Sequence, residues 1–228
     1  MSPLPLVLLH GALGDVRQLQ PLAKLLDDRT VISVNFPGHG TDAVHSTPFT
    51  MDDLAAAITQ VMDEHQVERA DMFGYSMGGY AALWLLHLQP DRVRRLFTLG
   101  TKLSWNPEIA TREQANLQPE KIREKVPALM RSLAQRHGEE HWEKVVRSTA
   151  AMMQWLGSHP LKEEDFLFMT HEICLGLGDA DKMVSLEETQ RVLGYLNNGS
   201  LSSLAGTPHP LEQVDLTLLR DVLIRFLN

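Results

Sequence analysis

Strand-like and helix-like segments alternate along most of this chain, and no other feature of the sequence constrains the fold as strongly. The strand-like segments are short apolar or β-branched runs, and we predict six of them: Leu4–Leu9, Thr30–Phe36, Ala70–Tyr75, Arg95–Thr101, Ile173–Leu177 and Leu201–Ala205. Between them we predict helices at Val16–Leu26, Met51–His65, Met77–Leu88, Leu186–Asn197 and Leu211–Leu227. Strands that alternate with helices form a parallel sheet covered on both faces. The sequence therefore predicts an α/β fold with a wholly parallel sheet of about six strands.

The alternation stops between residues 102 and 165. This segment has no clear strand, contains three of the four tryptophans, and carries ten basic and ten acidic residues. It joins two predicted strands whose carboxyl ends lie at the edge where open α/β sheets bind ligands. We therefore expect a helical cap at residues 102–165, inserted into a core formed by residues 1–101 and 166–228.

The charge balance excludes several classes of partner. Lys and Arg number 21 against 29 Asp and Glu, which gives a net charge of −8. An acidic chain without a basic tract is a poor ligand for nucleic acid or for an anionic membrane surface. The single cysteine, Cys174, fits a reducing compartment, and the apolar N-terminal run lacks the basic start of a signal peptide. We expect a cytoplasmic protein that acts on a small molecule.

The strongest motif is Gly74-Tyr75-Ser76-Met77-Gly78-Gly79, which matches G-x-S-x-G between a predicted strand and a predicted helix. At so sharp a turn the serine takes a strained conformation, and the flanking glycines leave room for the chain to double back. The helix N-terminus adds partial positive charge where an oxyanion would form. The motif predicts Ser76 as a nucleophile, the alternative being a serine that merely caps a helix.

A second motif, His10-Gly11-Ala12, follows the first predicted strand. A backbone N–H from this loop, that of Ala12, would complete an oxyanion hole with the N–H of Met77. We interpret the His10 side chain itself as structural.

These motifs together make the chain similar to the α/β-hydrolase superfamily. The resemblance covers nearly the whole chain and is carried by His10–Gly11, Asn35–Gly40, Gly74–Gly79, Gly178–Val184 and Thr207–His209. The family order is nucleophile, acid, histidine, which implies Ser76, then Asp181 or Asp179, then His209. In the resembling families the acid usually comes three residues after a glycine and about three residues before a small apolar residue. Gly178 and Val184 are spaced in this way around Asp181, which favours Asp181. We interpret the glycines of the Asn35–Gly40 loop as purely conformational, and His39 in the same way.

Three functions stay open at this stage. The first is a serine hydrolase that cleaves an ester or thioester of a small acid. The second is a triad-dependent lyase or carbon–carbon hydrolase, because two segments are similar to the succinyl-cyclohexadiene carboxylate synthases of menaquinone biosynthesis. That family usually has an arginine soon after the nucleophile, where this chain has Tyr80. The third is a non-catalytic, ligand-binding protein of the same fold.

No cofactor or metal is predicted. His137 and His141 are spaced as zinc ligands on a helix would be, but Gly138 between them disfavours a helix and no third ligand is evident. No glycine pattern fits a dinucleotide site. Trp105 and Tyr75 are the predicted pocket residues. The methionines are interpreted as packing residues, with a soft wall for an acyl pocket as the alternative.

Overall fold

The structure is a computed structural model that describes residues 3–40 and 48–228. Its centre is a six-stranded sheet with the spatial order β2-β1-β3-β4-β5-β6, in which every neighbouring pair is parallel. The strands are β1 (Leu6–Leu9), β2 (Val31–Val34), β3 (Ala70–Tyr75), β4 (Val93–Leu99), β5 (Glu172–Gly178) and β6 (Gly199–Leu204). The predicted wholly parallel sheet of about six strands is confirmed.

Helices cover both faces of this sheet, as predicted. They are α1 (Val16–Ala23), α2 (Met51–Glu64), α3 (Met77–Leu88), α9 (Leu186–Leu193) and α10 (Leu216–Leu227), and the numbers between α3 and α9 belong to helices inserted between β4 and β5. Alternate residues of β1 point to opposite faces: Val7 and Leu9 join one hydrophobic cluster, whereas Leu6 and Leu8 join the other. The first cluster lies under α2, α3 and α9, and the second under α1 and α10.

Several element ends differ from the prediction. Strand β4 begins two residues early, at Val93, because Arg94 pairs with buried Asp71 and so remains within the sheet. The last helix begins at Leu216 and not Leu211, because the Asp215 side chain caps it by accepting the N–H groups of Thr217 and Leu218. Residues 211–213 form a separate 3-10 turn. These differences leave the order of elements unchanged.

The insertion is helical throughout its regular elements. It contains α4 (Pro107–Gln114), α5 (Pro119–Lys125), α6 (Pro127–His137), α7 (Trp142–Ser158) and α8 (Glu163–Leu167). Ile122, Leu133 and Trp142 belong to a small core within the insertion. Met152 and Leu156 of α7 instead belong to the first of the two hydrophobic clusters described above, so α7 anchors the insertion to the sheet. Across residues 3–40 and 48–228, no helix has both the length and the apolar character that crossing a membrane requires.

Candidate active site

The carboxyl edge of the sheet brings together three side chains that lie far apart in sequence. Ser76 follows β3, Asp181 follows β5, and His209 follows β6. Because all of these strands are parallel, their carboxyl ends meet at one edge, where ligands bind in open α/β sheets. The three residues predicted as nucleophile, acid and base are therefore neighbours.

The turn between β3 and α3 holds Ser76 in a strained conformation. Its φ of 52° and ψ of −115° lie outside the regions that residues with a side chain favour. The Ser76 N–H donates to the Leu99 carbonyl oxygen over 2.8 Å, and the Ser76 carbonyl oxygen accepts the Thr101 hydroxyl over 3.0 Å. Strain of this kind costs roughly 1–3 kcal/mol and persists only where neighbouring contacts enforce it.

The glycines of this motif are explained by close approach of the backbone. A Cβ at Gly74 would overlap the Cα of Gly79, and a Cβ at Gly78 would overlap the carbonyl oxygen of Leu9. Any larger residue at either position would therefore push α3 away from the strands. The spacing of the motif is a packing requirement of the sharp turn.

A continuous chain of hydrogen bonds links the serine to the carboxylate. The Ser76 Oγ lies 3.2 Å from Nε2 of His209, and the His209 Nδ1 lies 2.7 Å from Oδ2 of Asp181. The Asp181 side chain is buried, and its Oδ1 accepts the N–H groups of Met183 and Val184 over 2.7 and 3.0 Å. Burial raises the pKa of this carboxyl, but the hydrogen bonds from His209 and the two amides outweigh it, so the pKa falls below its usual value. Asp181 is thus an ionised acceptor that fixes the imidazole.

The other candidate carboxylate lies apart from the histidine. Asp179 is exposed, and its N–H donates to the Leu204 carbonyl oxygen at the end of β6. The geometry therefore brings Asp181, and not Asp179, against His209.

The two predicted oxyanion donors, Ala12 and Met77, border the same cavity as Ser76. Met77 is the first residue of α3, where a helix leaves its N–H groups unpaired and carries partial positive charge. Among residues 3–40 and 48–228, neither amide donates a backbone hydrogen bond. Both N–H groups thus lack a backbone acceptor in the described part of the chain, as donors of an oxyanion hole must.

Two buried histidines hold the loop that carries Ala12. His10 Nδ1 donates to the Gly11 carbonyl oxygen over 2.8 Å, and its Nε2 accepts the Phe36 N–H over 3.1 Å. His137, the last residue of α6, contacts the Leu13 carbonyl oxygen through Nε2 and the Gly40 N–H through Nδ1, over 3.0 and 2.9 Å. Burial lowers the pKa of both histidines to about 4. His10 is therefore structural, as interpreted.

The hydrogen bonds of His137 also bear on the zinc hypothesis. Both ring nitrogens of His137 are occupied by backbone groups, whereas His141 lies beyond the end of α6 and is exposed. The two histidines are separated by Gly138, whose φ of 91° ends the helix. They do not share a helix face.

A cavity of about 50 Å³ opens beside the serine and the histidine. It is mainly apolar, and five of the ten methionines border it: Met51, Met77, Met152, Met153 and Met183. Trp105 also lines it, and the methionines form a flexible apolar wall. A larger groove of about 500 Å³ lies beside Arg17 and Glu212, but its lining contains neither Ser76 nor His209. Of these two, the smaller cavity is therefore the one that contacts Ser76 and His209.

Tyr75, the other predicted pocket residue, is not among the residues that line this cavity. Its ring is buried against Gly11 and lies 5.6 Å from the His209 ring, and its hydroxyl donates to the His209 carbonyl oxygen over 2.8 Å. Burial raises the pKa of this phenol, so it stays a proton donor. The side chain turns toward the His209 loop because Gly11 leaves space for the ring on that side.

Two charged residues of the cavity, Lys102 and Glu113, were not predicted from the sequence. Lys102 lies three residues after β4, and Glu113 lies on α4 of the insertion. A charged residue directly after the predicted strand Arg95–Thr101 is a usable signal for Lys102. No sequence pattern distinguishes Glu113 from the other acidic residues of the insertion.

The alpha/beta hydrolase fold family matches this chain over residues 5–170. The chain belongs to the α/β-hydrolase fold family. Among solved structures, the enol-lactonase from Burkholderia xenovorans LB400 superposes on this α/β hydrolase with a TM-score of 0.80. That match covers 100% of this chain and 92% of the lactonase at 15% identity, which shows a shared fold.

Curated relatives of this α/β hydrolase carry different activities. The sn-1-specific diacylglycerol lipase ABHD11 of Danio rerio is 31% identical over 63% of this chain and 45% of its own length. The 2-succinyl-6-hydroxy-2,4-cyclohexadiene-1-carboxylate synthase of Serratia proteamaculans is 30% identical over 49% of this chain and 42% of its own length. The chain thus spans less than half the length of these relatives. Their family relationship supports an α/β-hydrolase enzyme.

Proposed function

We propose that this protein is a serine hydrolase that cleaves an ester or thioester of a small acid. The observation that carries this proposal is the hydrogen-bond chain from Ser76 Oγ through the His209 ring to Asp181, with distances of 3.2 and 2.7 Å. A serine hydroxyl is a weak nucleophile until a neighbouring base takes its proton. The chain supplies that base and the carboxylate that orients it.

In the proposed mechanism, the Ser76 oxygen attacks the substrate carbonyl carbon as His209 Nε2 accepts the hydroxyl proton. The resulting oxyanion accepts hydrogen bonds from the N–H groups of Ala12 and Met77. Asp181 stays ionised and stabilises the imidazolium. His209 then protonates the leaving alcohol or thiol, and a water molecule, activated by the same imidazole, releases the acid from Ser76.

The cavity supports a small acyl group. Its volume of about 50 Å³ and its methionine and tryptophan lining suit a short apolar chain. We further propose that residues 102–165 act as a cap, because Trp105, Met152 and Leu156 of this segment border the cavity that also contains Ser76. A cap of this kind excludes water and shapes the pocket.

A lyase related to the Serratia proteamaculans synthase is the second candidate, and the similarity of sequence favours it. Tyr80, the residue after the nucleophile motif, supports a hydrolase more strongly than a lyase. Tyr80 borders the cavity without a charge, and its hydroxyl accepts the Leu161 N–H over 2.8 Å. It therefore offers no cation where the resembling synthases usually have an arginine.

The proposal is tested with 4-nitrophenyl butyrate and a fluorophosphonate probe. We expect the native protein to hydrolyse the ester and to be labelled, and Ser76→Ala to lose both while unfolding at an unchanged temperature. Ser132→Ala, which removes an exposed hydroxyl from α6, is the matched control and should behave as native. Labelling of Ser76→Ala at the native level would contradict the assignment, and a native protein that is never labelled would favour a non-catalytic role.

A further inference from the structure

We propose that Glu113 is a specificity-determining residue that makes the pocket reject acyl groups with a free carboxylate, so that the enzyme takes neutral acyl esters. The inference rests on the serine-hydrolase function proposed above and adds the substrate class. It starts from an ammonium group at the cavity wall that is paired with two carboxylates.

Lys102 borders the cavity beside Ser76, where a lysine would ordinarily recruit a substrate carboxylate. Its Nζ lies 3.2 Å from the Met183 carbonyl oxygen, 3.5 Å from Glu113 Oε1 and 3.7 Å from Glu188 Oε2. The first contact is a hydrogen bond, and the other two are ion pairs. The lysine charge is therefore already shared between two carboxylates before any substrate enters.

The charge around the lysine is also unfavourable for an anion. The side chains of Lys102, Glu113 and Glu188 are only 15%, 18% and 11% exposed, so one cation faces two carboxylates in a partly dry site. Arg112 lies 3.5 Å from Glu113 but is 65% exposed, so water screens its charge. A carboxylate entering this site would meet net repulsion, and like charges repel more strongly there than in bulk water.

Glu113 is the member of this cluster that can be changed cleanly. Glu188 Oε1 accepts the N–H groups of Leu103 and Ser104, so its replacement would disturb the backbone after β4. Within the described residues, Glu113 instead contacts the cations of Lys102 and Arg112. Glutamine has the same shape as glutamate without its charge. Glu113→Gln therefore removes one of the two carboxylate charges beside the lysine and leaves the backbone contacts of Glu188 in place.

The test compares kcat/KM for 4-nitrophenyl hemisuccinate and 4-nitrophenyl butyrate, with the rate of Ser76→Ala subtracted as the blank. The measured quantity is the hemisuccinate value divided by the butyrate value. We expect the native ratio to be roughly a hundredfold below one, as like-charge repulsion implies. Glu113→Gln should raise that ratio about five- to tenfold, because one carboxylate charge is gone.

Two further variants separate charge from shape. Glu108→Gln removes an exposed carboxylate from the same helix and should keep the native ratio. Adding Lys102→Met to Glu113→Gln should return the ratio toward the native value, because the cation that would attract the substrate carboxylate is gone.

The outcomes distinguish failure of the specificity role of Glu113 from failure of the proposed hydrolase function. A native ratio near one, or an equal rise in Glu108→Gln and Glu113→Gln, would overturn the specificity role while leaving the hydrolase intact. A native protein that shows no Ser76-dependent turnover of either ester would overturn the proposed function, and the specificity role with it.

Discussion

Lowering the pH from 7 to 5 should destabilise this protein through its buried histidines. His10, His39 and His137 are buried, with ring centroids of neighbouring members 5.0 and 5.8 Å apart. Burial lowers the pKa of His10 and His137 from 6.5 to about 4, and that of His39 well below 6.5. The Gly40 N–H donates to Nδ1 of His137, a bond that requires this nitrogen to be unprotonated.

The direction of the effect follows from proton binding. Between pH 6.5 and pH 4 the unfolded chain binds a proton at each histidine and the folded chain does not, so the free energy of unfolding falls as the pH falls. Integrating this difference from pH 7 to pH 5 gives a loss of about 2 kcal/mol for each histidine whose pKa is near 4. His10 and His137 together lose about 4 kcal/mol, against a usual total of about 5–15 kcal/mol. His39 acts in the same direction.

Urea unfolding at pH 7, 6 and 5 measures this loss, with His137→Gln as the perturbation. That variant should be less stable than native at pH 7, because the Gly40 N–H loses its imidazole acceptor. Between pH 7 and 5 it should lose about 2 kcal/mol less than the native protein, since one titrating group is gone. His65→Gln, at an exposed position on the end of α2, is the control and should follow the native curve. Parallel pH curves for His137→Gln and native protein would refute the reasoning.

Three further predictions concern the site. Asp181→Asn should lower kcat/KM at pH 7 by about ten-thousandfold, the loss known for a triad aspartate, whereas Asp179→Asn should keep most activity. The reverse ranking of the two variants would show that Asp179 is the acid. Ala12→Pro removes one oxyanion donor and should cost about a hundred- to a thousandfold in kcat, but Met77→Leu keeps its N–H and should be mild, so an inactive, folded Met77→Leu would count against a backbone hole. Tyr75→Phe removes the hydrogen bond to the His209 carbonyl oxygen and should lower kcat by about three- to tenfold with KM unchanged; a change confined to KM would point to substrate contact.

The order of elements was predictable because its signals are local. Apolar runs mark the strands, and helix ends carry their own chemistry, such as the capping box between Thr50 and Asp53 at the start of α2. The boundaries of β3 and α3 were predicted to the residue, since the nucleophile turn separates them and Pro90 follows. The start of β4 was not, because Arg94 is kept in the sheet by Asp71, a partner that no local pattern reveals.

The candidate site also contains one part that local signals predict and one part that they do not. Ser76, Asp181 and His209 each follow a strand, so the sequence alone predicts that all three lie at one edge of the sheet. The ion cluster of Lys102 with Glu113 depends instead on how α4 lies over the sheet. Packing of inserted helices is set by tertiary contacts, and the direction of a side chain on them cannot be read from residue type. For the same reason, the methionines of the cavity could not be separated from those of the core.

The insertion contacts the loop of the proposed oxyanion hole as well as the cavity. Leu13, next to the proposed oxyanion donor Ala12, has a φ of 59°, which a leucine disfavours. Its carbonyl oxygen accepts a hydrogen bond from the Arg136 guanidinium over 2.7 Å and lies 3.0 Å from His137 Nε2, both at the end of α6. Contacts from the insertion therefore hold the loop in a conformation that its own sequence does not favour. We therefore expect a change in α6 to alter the proposed oxyanion hole through Leu13, even when it leaves every residue that lines the cavity in place.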